Sequence, residues 1–307
     1  MLRYVGRRLV IMFVTLFVIV SATWAMSKAL PGTPFADDKL TPSTRAALFQ
    51  KYGLDDPLPV QYVRYMVNVG QGDLGNSFYF ENRPVTRVIL EQAPISAFIG
   101  FQAIIFGLIP GLVLGVAGAL RHNSLLDYTA TVVAVLGVAV PSFVLGPIMQ
   151  YWIGFKWGAL PIAWDPFNPA WTQSVMPSAC LAVFVVAVVA RYIRAEMLEV
   201  LGQDYVTLAK AKGLSRLAVV GRHVLRNSLI PLVTVLLPLM VGLVTGSLIV
   251  ENIFAVPGIG DLFVRCIFVN DYAVILGTTI FFAAFFILAY LVQDILYAII
   301  DPRIRVS

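Results

Sequence analysis

The sequence predicts an all-α, polytopic membrane protein with six transmembrane helices. Three observations predict it. Charge is scarce: 13% of the 307 residues are Asp, Glu, Lys or Arg and 59% are hydrophobic, where soluble domains carry roughly a quarter charged residues. The mean hydropathy is +0.84. The charges are also bunched, leaving six uncharged runs near the length of about 20 residues that crosses the hydrocarbon core as a helix. Those runs are continuous, without the short alternating segments of a transmembrane barrel.

Leu9–Ser27 is the first run. It is longer than the apolar region of a signal peptide, and no convincing small-x-small cleavage site precedes Pro31, so it reads as a retained span. Pro31, Gly32 and Pro34 end it. The segment 31–94 then reads as a small folded cap. Thr41 caps a helix that starts on Pro42 and closes at Gly53. Pro57-Leu58-Pro59 opens a second helix through Tyr62, Tyr65 and Met66, and Asp73-Leu74-Gly75 makes a turn. Phe78, Tyr79 and Phe80 suit the aromatic belt of a membrane interface. The cap either plugs the outer face or offers a contact surface to a delivery protein.

The remaining runs are Ile95–Leu120, Tyr128–Phe155, Val175–Ala190 (stopped by Arg191), Asn227–Val250 and Tyr272–Gln293. They contain Pro110, Pro141, Pro238 and Gly242, which a packed membrane bundle is expected to tolerate. Six spans put both termini on one side. Arg3, Arg7, Arg8, Arg121, Arg303, Arg305 and the group Arg191, Arg194, Lys210, Lys212, Arg216, Arg222 and Arg226 all fall on that side, whereas the short opposite loops hold only Lys156 and Arg265. Basic loops stay in the cytoplasm, so the termini and the segment 191–226 are expected there. The segment 31–94 holds six basic and seven acidic residues and is long enough to escape that rule. The net charge of +5 is thus an expression of topology and lipid contact, not of nucleic-acid binding. Cys180 and Cys266 are placed near the outer end of span four and in an outer loop. They read as two unrelated thiols, with a disulfide geometrically conceivable.

Much chemistry is missing. The sequence contains no Gly-Lys pair, hence no phosphate-cradling loop of the ATPase type. His122 and His223 lie in separate cytoplasmic loops, and no serine, histidine and acid set stands out. Asp127, Glu251 and Asp294 sit at span ends, whereas ion-coupled carriers place an ionisable group within the bilayer. The chain has the body of a transporter without an energy input, so a partner must supply it. No enzyme activity, cofactor or metal is expected.

The cytoplasmic segment between spans four and five carries the most specific pattern. Asp204 is the expected N-cap of a short helix with Val206, Leu208 and Ala209 on its apolar side and Lys210 and Lys212 near its C-terminus. Gly213 suits the left-handed position that ends such a helix, and Ser215 caps a second helix running toward Arg226. Helix, glycine, serine, helix makes a compact elbow; the alternative is an ordinary basic loop that anchors topology.

Asp204-Tyr205-Val206 through Ala209-Lys210-Ala211-Lys212-Gly213-Leu214-Ser215, then Arg222-His223, Arg226-Asn227 and Ile230-Pro231, resembles the coupling loop of ABC importer permeases, in particular their peptide and nickel branch. Thr207 stands where many importers have glutamate, and the spacing from Gly213 to Pro231 exceeds that of sugar importers; both departures are usual in the peptide branch. Met1-Leu2-Arg3-Tyr4 with Arg7-Arg8-Leu9, Pro31-Gly32-Thr33-Pro34-Phe35, Tyr52-Gly53-Leu54-Asp55-Asp56-Pro57 with Gln61-Tyr62, and Gly72-Asp73-Leu74-Gly75-Asn76-Ser77 are similar to that branch as well. So are Pro141-Ser142-Phe143, Val250-Glu251-Asn252-Ile253-Phe254 with Pro257-Gly258-Ile259-Gly260, and Asp301-Pro302-Arg303. The long segment after span one resembles the B-type subunit of oligopeptide or dipeptide importers.

That resemblance implies the type I importer permease fold, with 1–30 as N-terminal segment and first helix and 31–94 as extracytoplasmic cap. It implies 95–300 as permease core, with a coupling loop at about 195–228, and 301–307 as cytoplasmic tail. It implies a multi-pass protein of a bacterial inner membrane, with both termini cytoplasmic. The implied partners are a second, related permease, two ABC ATPase subunits, an extracytoplasmic peptide-binding protein and membrane lipid. Asp204, Tyr205, Ala209, Lys210, Ala211, Lys212, Gly213, Leu214 and Ser215 would couple the chain to an ATPase. For the translocation path, Gln102, Ser142, Gln150, Thr245, Gly246 and Ser247 are polar or small enough to line it, or else to pack helices. Glu251 and Asn252 are candidates for the path or a gate. The substrate is expected to be an oligopeptide or dipeptide, with nickel chelates, haem or another small solute as alternatives. An ion-coupled carrier, a channel and a non-transporting scaffold are the readings from other classes.

Overall fold

The structure is a computed structural model that describes residues 2–29, 41–168 and 170–300. Among these residues it is helical, with no strand beyond an isolated bridge between Asn76 and Pro84. The segments at Pro31-Gly32-Thr33-Pro34-Phe35 and Asp301-Pro302-Arg303, with Met1, Arg303 and Arg305, lie outside the described residues. The chain divides into two compact units. One comprises Met1–Pro94 with Asp261–Ile287, the other Ile95–Gly260 with Leu288–Ser307.

In the first unit, α1 (Leu2–Ala29) is the first apolar helix. Its apolar window is only 6% buried. The cap follows the local rules of its sequence. Thr41 accepts a hydrogen bond from the Thr44 amide at 3.3 Å and caps α2 (Pro42–Lys51) with Pro42 in the first turn. Gly53 then takes φ +62°, as the closing of that helix requires. Pro57 precedes α3 (Leu58–Gly70). The Asp73 carboxylate accepts from the Gly75 amide at 2.8 Å, closing the expected turn. A long-range bond fixes the segment after it: Ser77, buried, donates to Asp271 at 2.5 Å, and the Tyr79 amide donates to the same carboxylate at 3.1 Å. Asp271 immediately precedes α13 (Tyr272–Ile300).

The second unit is organised around α7 (Val175–Leu201), whose apolar window is 72% buried. Within α4 (Val85–Leu120) three glycines four residues apart meet it. A Cβ on Gly107 would lie 2.3 Å from Val185 Cβ, on Gly111 2.8 Å from Val189 Cβ, and on Gly115 2.7 Å from the Ala190 carbonyl. Small residues at this spacing let membrane helices approach backbone to backbone. On another side, Gly137 of α5 (Leu125–Ala139) approaches Ala187 in the same way. Gln102 belongs to this packing, since its Oε1 accepts from the buried Ser178 hydroxyl at 2.9 Å.

Among the described residues five helices are long and apolar enough to cross a membrane, and a bent pair makes a sixth candidate. That pair corrects the expected third span. Tyr128–Phe155 is not one helix: α5 stops at Ala139, and α6 (Ser142–Met149), prolonged by a π-helical turn Gln150–Lys156, departs at 101°. Pro141 lacks an amide hydrogen and drives the residue before it out of the helical region. Val140 is accordingly extended, at φ −81°, ψ 114°. Pro110 and Pro238 lie within unbroken helices, as expected.

Other boundaries shift too. Span four runs past Arg191 to Leu201. The expected span Asn227–Val250 ends at Val244, in α10 (Arg226–Val244), and Gly246 at φ +107° separates it from α11 (Leu248–Ile253). Cys266 sits on a helix, α12 (Ile259–Phe268), not in a loop. Both cysteines are free and buried.

Candidate functional site

Two clusters of the second unit hold the residues singled out by sequence. The first is the elbow. The short helix α8 spans Asp204–Ala211. Asp204 is not its N-cap: Gln203 occupies that position in extended conformation, and Asp204 lies in the first turn. There its charge favours the helix dipole, as does Lys210 in the last turn. Gly213 has φ +78° with open space where a Cβ would stand, so backbone geometry alone dictates glycine here. Ser215 caps the next helix as expected, its hydroxyl accepting from the Ala218 amide at 3.3 Å.

That next helix does not stop near Arg226. The short turn α9 (Arg216–Ala218), π-helical turns over Val219–Leu225 and then α10 follow without interruption. At 1.5 Å rise per residue, Arg216 to Val244 is a rod of roughly 40 Å. Val206 and Ala209 of α8 are buried in the core of the unit together with Val219 and Val224. The opposite side is apolar and uncovered: Tyr205 is 41% exposed, Leu208 56% and Leu217 87%. The elbow is anchored on one side and presents an unpartnered edge on the other.

At the root of the elbow lies an ion pair that sequence reasoning did not find. Asp127, in the first turn of α5, is 2% exposed. Arg194 of α7 grips it with two donors, Nε to Oδ1 and Nη2 to Oδ2 at 2.9 Å. The Asn123 amide donates to Oδ2 at 3.0 Å, and His122 Nδ1 lies 3.1 Å from it. The pair ties the α4–α5 turn and α5 to the end of α7 from which the elbow departs. The sequence signal was slight: a second-turn arginine past an apolar run.

The second cluster gathers Gln150, Ser247, Glu251 and Asn252 about α11. Ser247 caps α11, its hydroxyl accepting from the Val250 amide at 3.2 Å. The Gln150 amide donates to the carbonyls of Ile162 (3.0 Å) and Ile253 (2.9 Å), binding the 158–168 loop to α11. Glu251 is 1% exposed. Its carboxylate accepts from the Ser247 amide at 3.3 Å and the Gly260 amide at 2.8 Å. A Cβ on Gly258 would stand 2.3 Å from that carboxylate and 2.4 Å from the Ser96 hydroxyl, which itself accepts from Ile259 N at 2.8 Å. Glu251 is therefore a brace that holds the two loops flanking α11; Asn252 beside it is exposed. Thr245 bonds back to the Val241 carbonyl at 2.8 Å. Among the described residues no group of three or more His, Cys, Asp or Glu is placed to hold a metal ion.

Residues 111–306 match the family described as binding-protein-dependent transport system inner membrane component, and residues 1–99 match the N-terminal domain of such membrane components. The dipeptide transport system permease protein DppB of Lactococcus lactis subsp. cremoris is 44% identical over 99% of this chain and 100% of its own length. DppB of Bacillus subtilis is 40% identical, over 99% and 98%. The oligopeptide transport system permease protein OppB of Haemophilus influenzae is 36% identical, over 99% and 100%. Among solved structures, the MetNI methionine ABC transporter aligns with a TM-score of 0.56 at 18% identity, over 70% of this chain and 97% of that one. An amino acid ABC transporter aligns with a TM-score of 0.52 at 16% identity, over 71% and 95%.

Proposed function

We infer the function from one premise: this chain belongs to the family of binding-protein-dependent transport system inner membrane components. It is a multi-pass membrane protein, the permease subunit of an ABC importer. We propose that it moves dipeptides or oligopeptides, the substrates for which its full-length relatives are named. Its proposed partners are a second permease, two ATPase subunits and an extracytoplasmic peptide-binding protein. ATP hydrolysis belongs to the ATPase subunits.

The observation that carries the coupling role is the elbow, anchored by Val206 and Ala209 and presenting Tyr205, Leu208 and Leu217 outward. An uncovered apolar edge flanked by Lys210, Lys212 and Arg216 fits a protein partner on the cytoplasmic side. When the ATPases close on nucleotide, they push on this edge. The rod from Arg216 to Val244 carries the displacement to the Gly246 break and the Glu251 brace, where the loops around α11 would open or shut the path. Two packings of one bundle, biased by nucleotide, constitute the switch. The termini and elbow face the cytoplasm, and the cap faces outward, on the asymmetry of the basic residues.

Single cysteines test orientation and docking together. Both native thiols are buried, and burial pushes the Cys266 thiol up to about 12, so background labelling is low. Ser43→Cys should label in intact cells. Leu217→Cys should label only in inside-out vesicles, and there only after the ATPase subunits are stripped away. Labelling of both positions from outside contradicts the orientation; equal labelling of Leu217→Cys with ATPases in place contradicts the docking.

A further inference from the structure

The first unit contains a cavity of about 260 Å3 that the transport mechanism above does not use. Its lining includes the aromatic residues Trp24, Tyr52, Tyr65, Phe78 and Tyr272, and also Asp73, whose carboxylate is engaged by the Gly75 amide. Lys28 lines it too, and is held in a built position. The Gln61 amide donates to the carbonyls of Leu54 (2.9 Å) and Asp56 (2.7 Å), which fixes its orientation. Its Oε1 is thereby presented to Lys28 Nζ, which donates to it at 2.6 Å and lies 5.5 Å from the centroid of the Trp24 ring.

An ammonium group has three donors. Among the described residues Lys28 uses one, and it forms no ion pair. Arg64, also in the lining, is different: Asp56 neutralises it at 2.7 Å. The Tyr65 hydroxyl is buried and has no hydrogen-bond partner among the described residues. Burial pushes its pKa upward, so it remains a neutral donor. A half-buried cation without counter-charge and a buried hydroxyl without partner among the described residues are each costly, and one anionic ligand would satisfy both.

We propose that this cavity is a subsite for a free carboxylate carried on a single amino-acid residue, the C-terminal residue of an incoming peptide. The carboxylate meets Lys28 and Tyr65, and the side chain lies among the aromatic rings. Pockets for drug-sized ligands begin near 300 Å3, so this one admits a residue and not a whole oligopeptide. The proposal rests on the peptide reading above. A lipid phosphate shares the chemistry of the anion, and the test separates the two.

The test uses the assembled importer in nanodiscs, without binding protein, and a dipeptide ending in photo-leucine with a free C-terminus. Photo-crosslinks should map to the cavity wall, at Trp24, Tyr52 or Tyr65. Ala-Phe should compete at least tenfold better than its C-terminal amide. Lys28→Gln should weaken crosslinking about tenfold, in keeping with a hydrogen bond to a charged group, and Tyr65→Phe a few-fold. Equal competition by acid and amide, or unchanged crosslinking in Lys28→Gln, overturns the subsite. Crosslinking suppressed by phosphatidylglycerol nanodiscs with no preference for acid over amide assigns the site to lipid and overturns it as well. The same importer, reconstituted with its binding protein and ATP, keeps the two readings apart. Peptide uptake without crosslinks sinks the subsite alone, whereas failure to take up any peptide sinks the parent reading and the subsite with it.

Discussion

Gly213→Val is expected to leave the chain in the membrane at normal abundance, to abolish peptide uptake, and to leave the assembled complex with weak or uncoupled ATPase activity. The reason is local. Gly213 stands at φ +78° and nothing surrounds its missing Cβ, so the substitution adds no clash, only backbone strain. A β-branched residue in the left-handed region costs on the order of 1–3 kcal/mol. Insertion of the apolar spans withstands that loss, since each central leucine or isoleucine contributes about −0.3 to −0.6 kcal/mol. The strain is relieved instead by moving α8 or the Ser215 cap, which displaces Leu208 and Leu217 from their partner. A displacement of about 1 Å is enough to cost a positioned group most of its effect. Gly213→Asn is the matched control, because asparagine tolerates the left-handed region; it should keep most of the uptake. If the elbow were only a topology anchor, its positive charge would suffice and Gly213→Val would transport. Near-normal uptake by that variant, at normal abundance, removes the coupling role.

Asp127→Ala should destabilise the folded chain by roughly 3 kcal/mol, the lower end of the range for breaking a buried ion pair. The lower end applies because the Arg194 side chain retains 28% exposure and can reach water. The alanine also leaves the Asn123 amide and His122 without their shared acceptor. Expected consequences are a lower unfolding temperature in detergent and reduced abundance. Uptake per inserted molecule should fall as well, because the pair fixes the helix end from which the elbow springs. A double-mutant cycle isolates the pair. Asp127→Ala with Arg194→Met should cost clearly less than the sum of the two single changes. Strict additivity would mean that the two side chains do not act together.

What the sequence made legible was local. Uncharged runs marked every apolar helix, Thr41, Pro42 and Gly53 marked α2, and Gly213 and Ser215 marked the elbow. Each of these rests on residues within a few positions of one another. The bend at Pro141 was not legible, because Pro110 and Pro238 present the same residue within apolar runs and do not break them. Position in the packed unit decides among the three. Asp127 and Arg194 are 67 residues apart, and Gln150 reaches a carbonyl 103 residues away. Neither pairing leaves a spacing rule to read. For the same reason the path candidates could be named while their bonding could not: the structure turns Ser247 into a cap, Gln150 into a strut and Glu251 into a brace. The glycines at 107, 111 and 115 went unread, because their role depends on the face of α7 that fills the stripe, which no local pattern names.

The central claim is that this chain moves peptide only as the membrane part of an ATP-driven assembly. It is tested most directly by uptake of a labelled dipeptide into proteoliposomes. The second permease, the ATPase subunits, the binding protein and ATP are each withheld in turn. Accumulation is expected only when all are present, and the chain reconstituted alone should neither concentrate peptide nor hydrolyse ATP above background. Accumulation by the chain alone, whether driven by an ion gradient or accompanied by its own ATP turnover, would contradict the account.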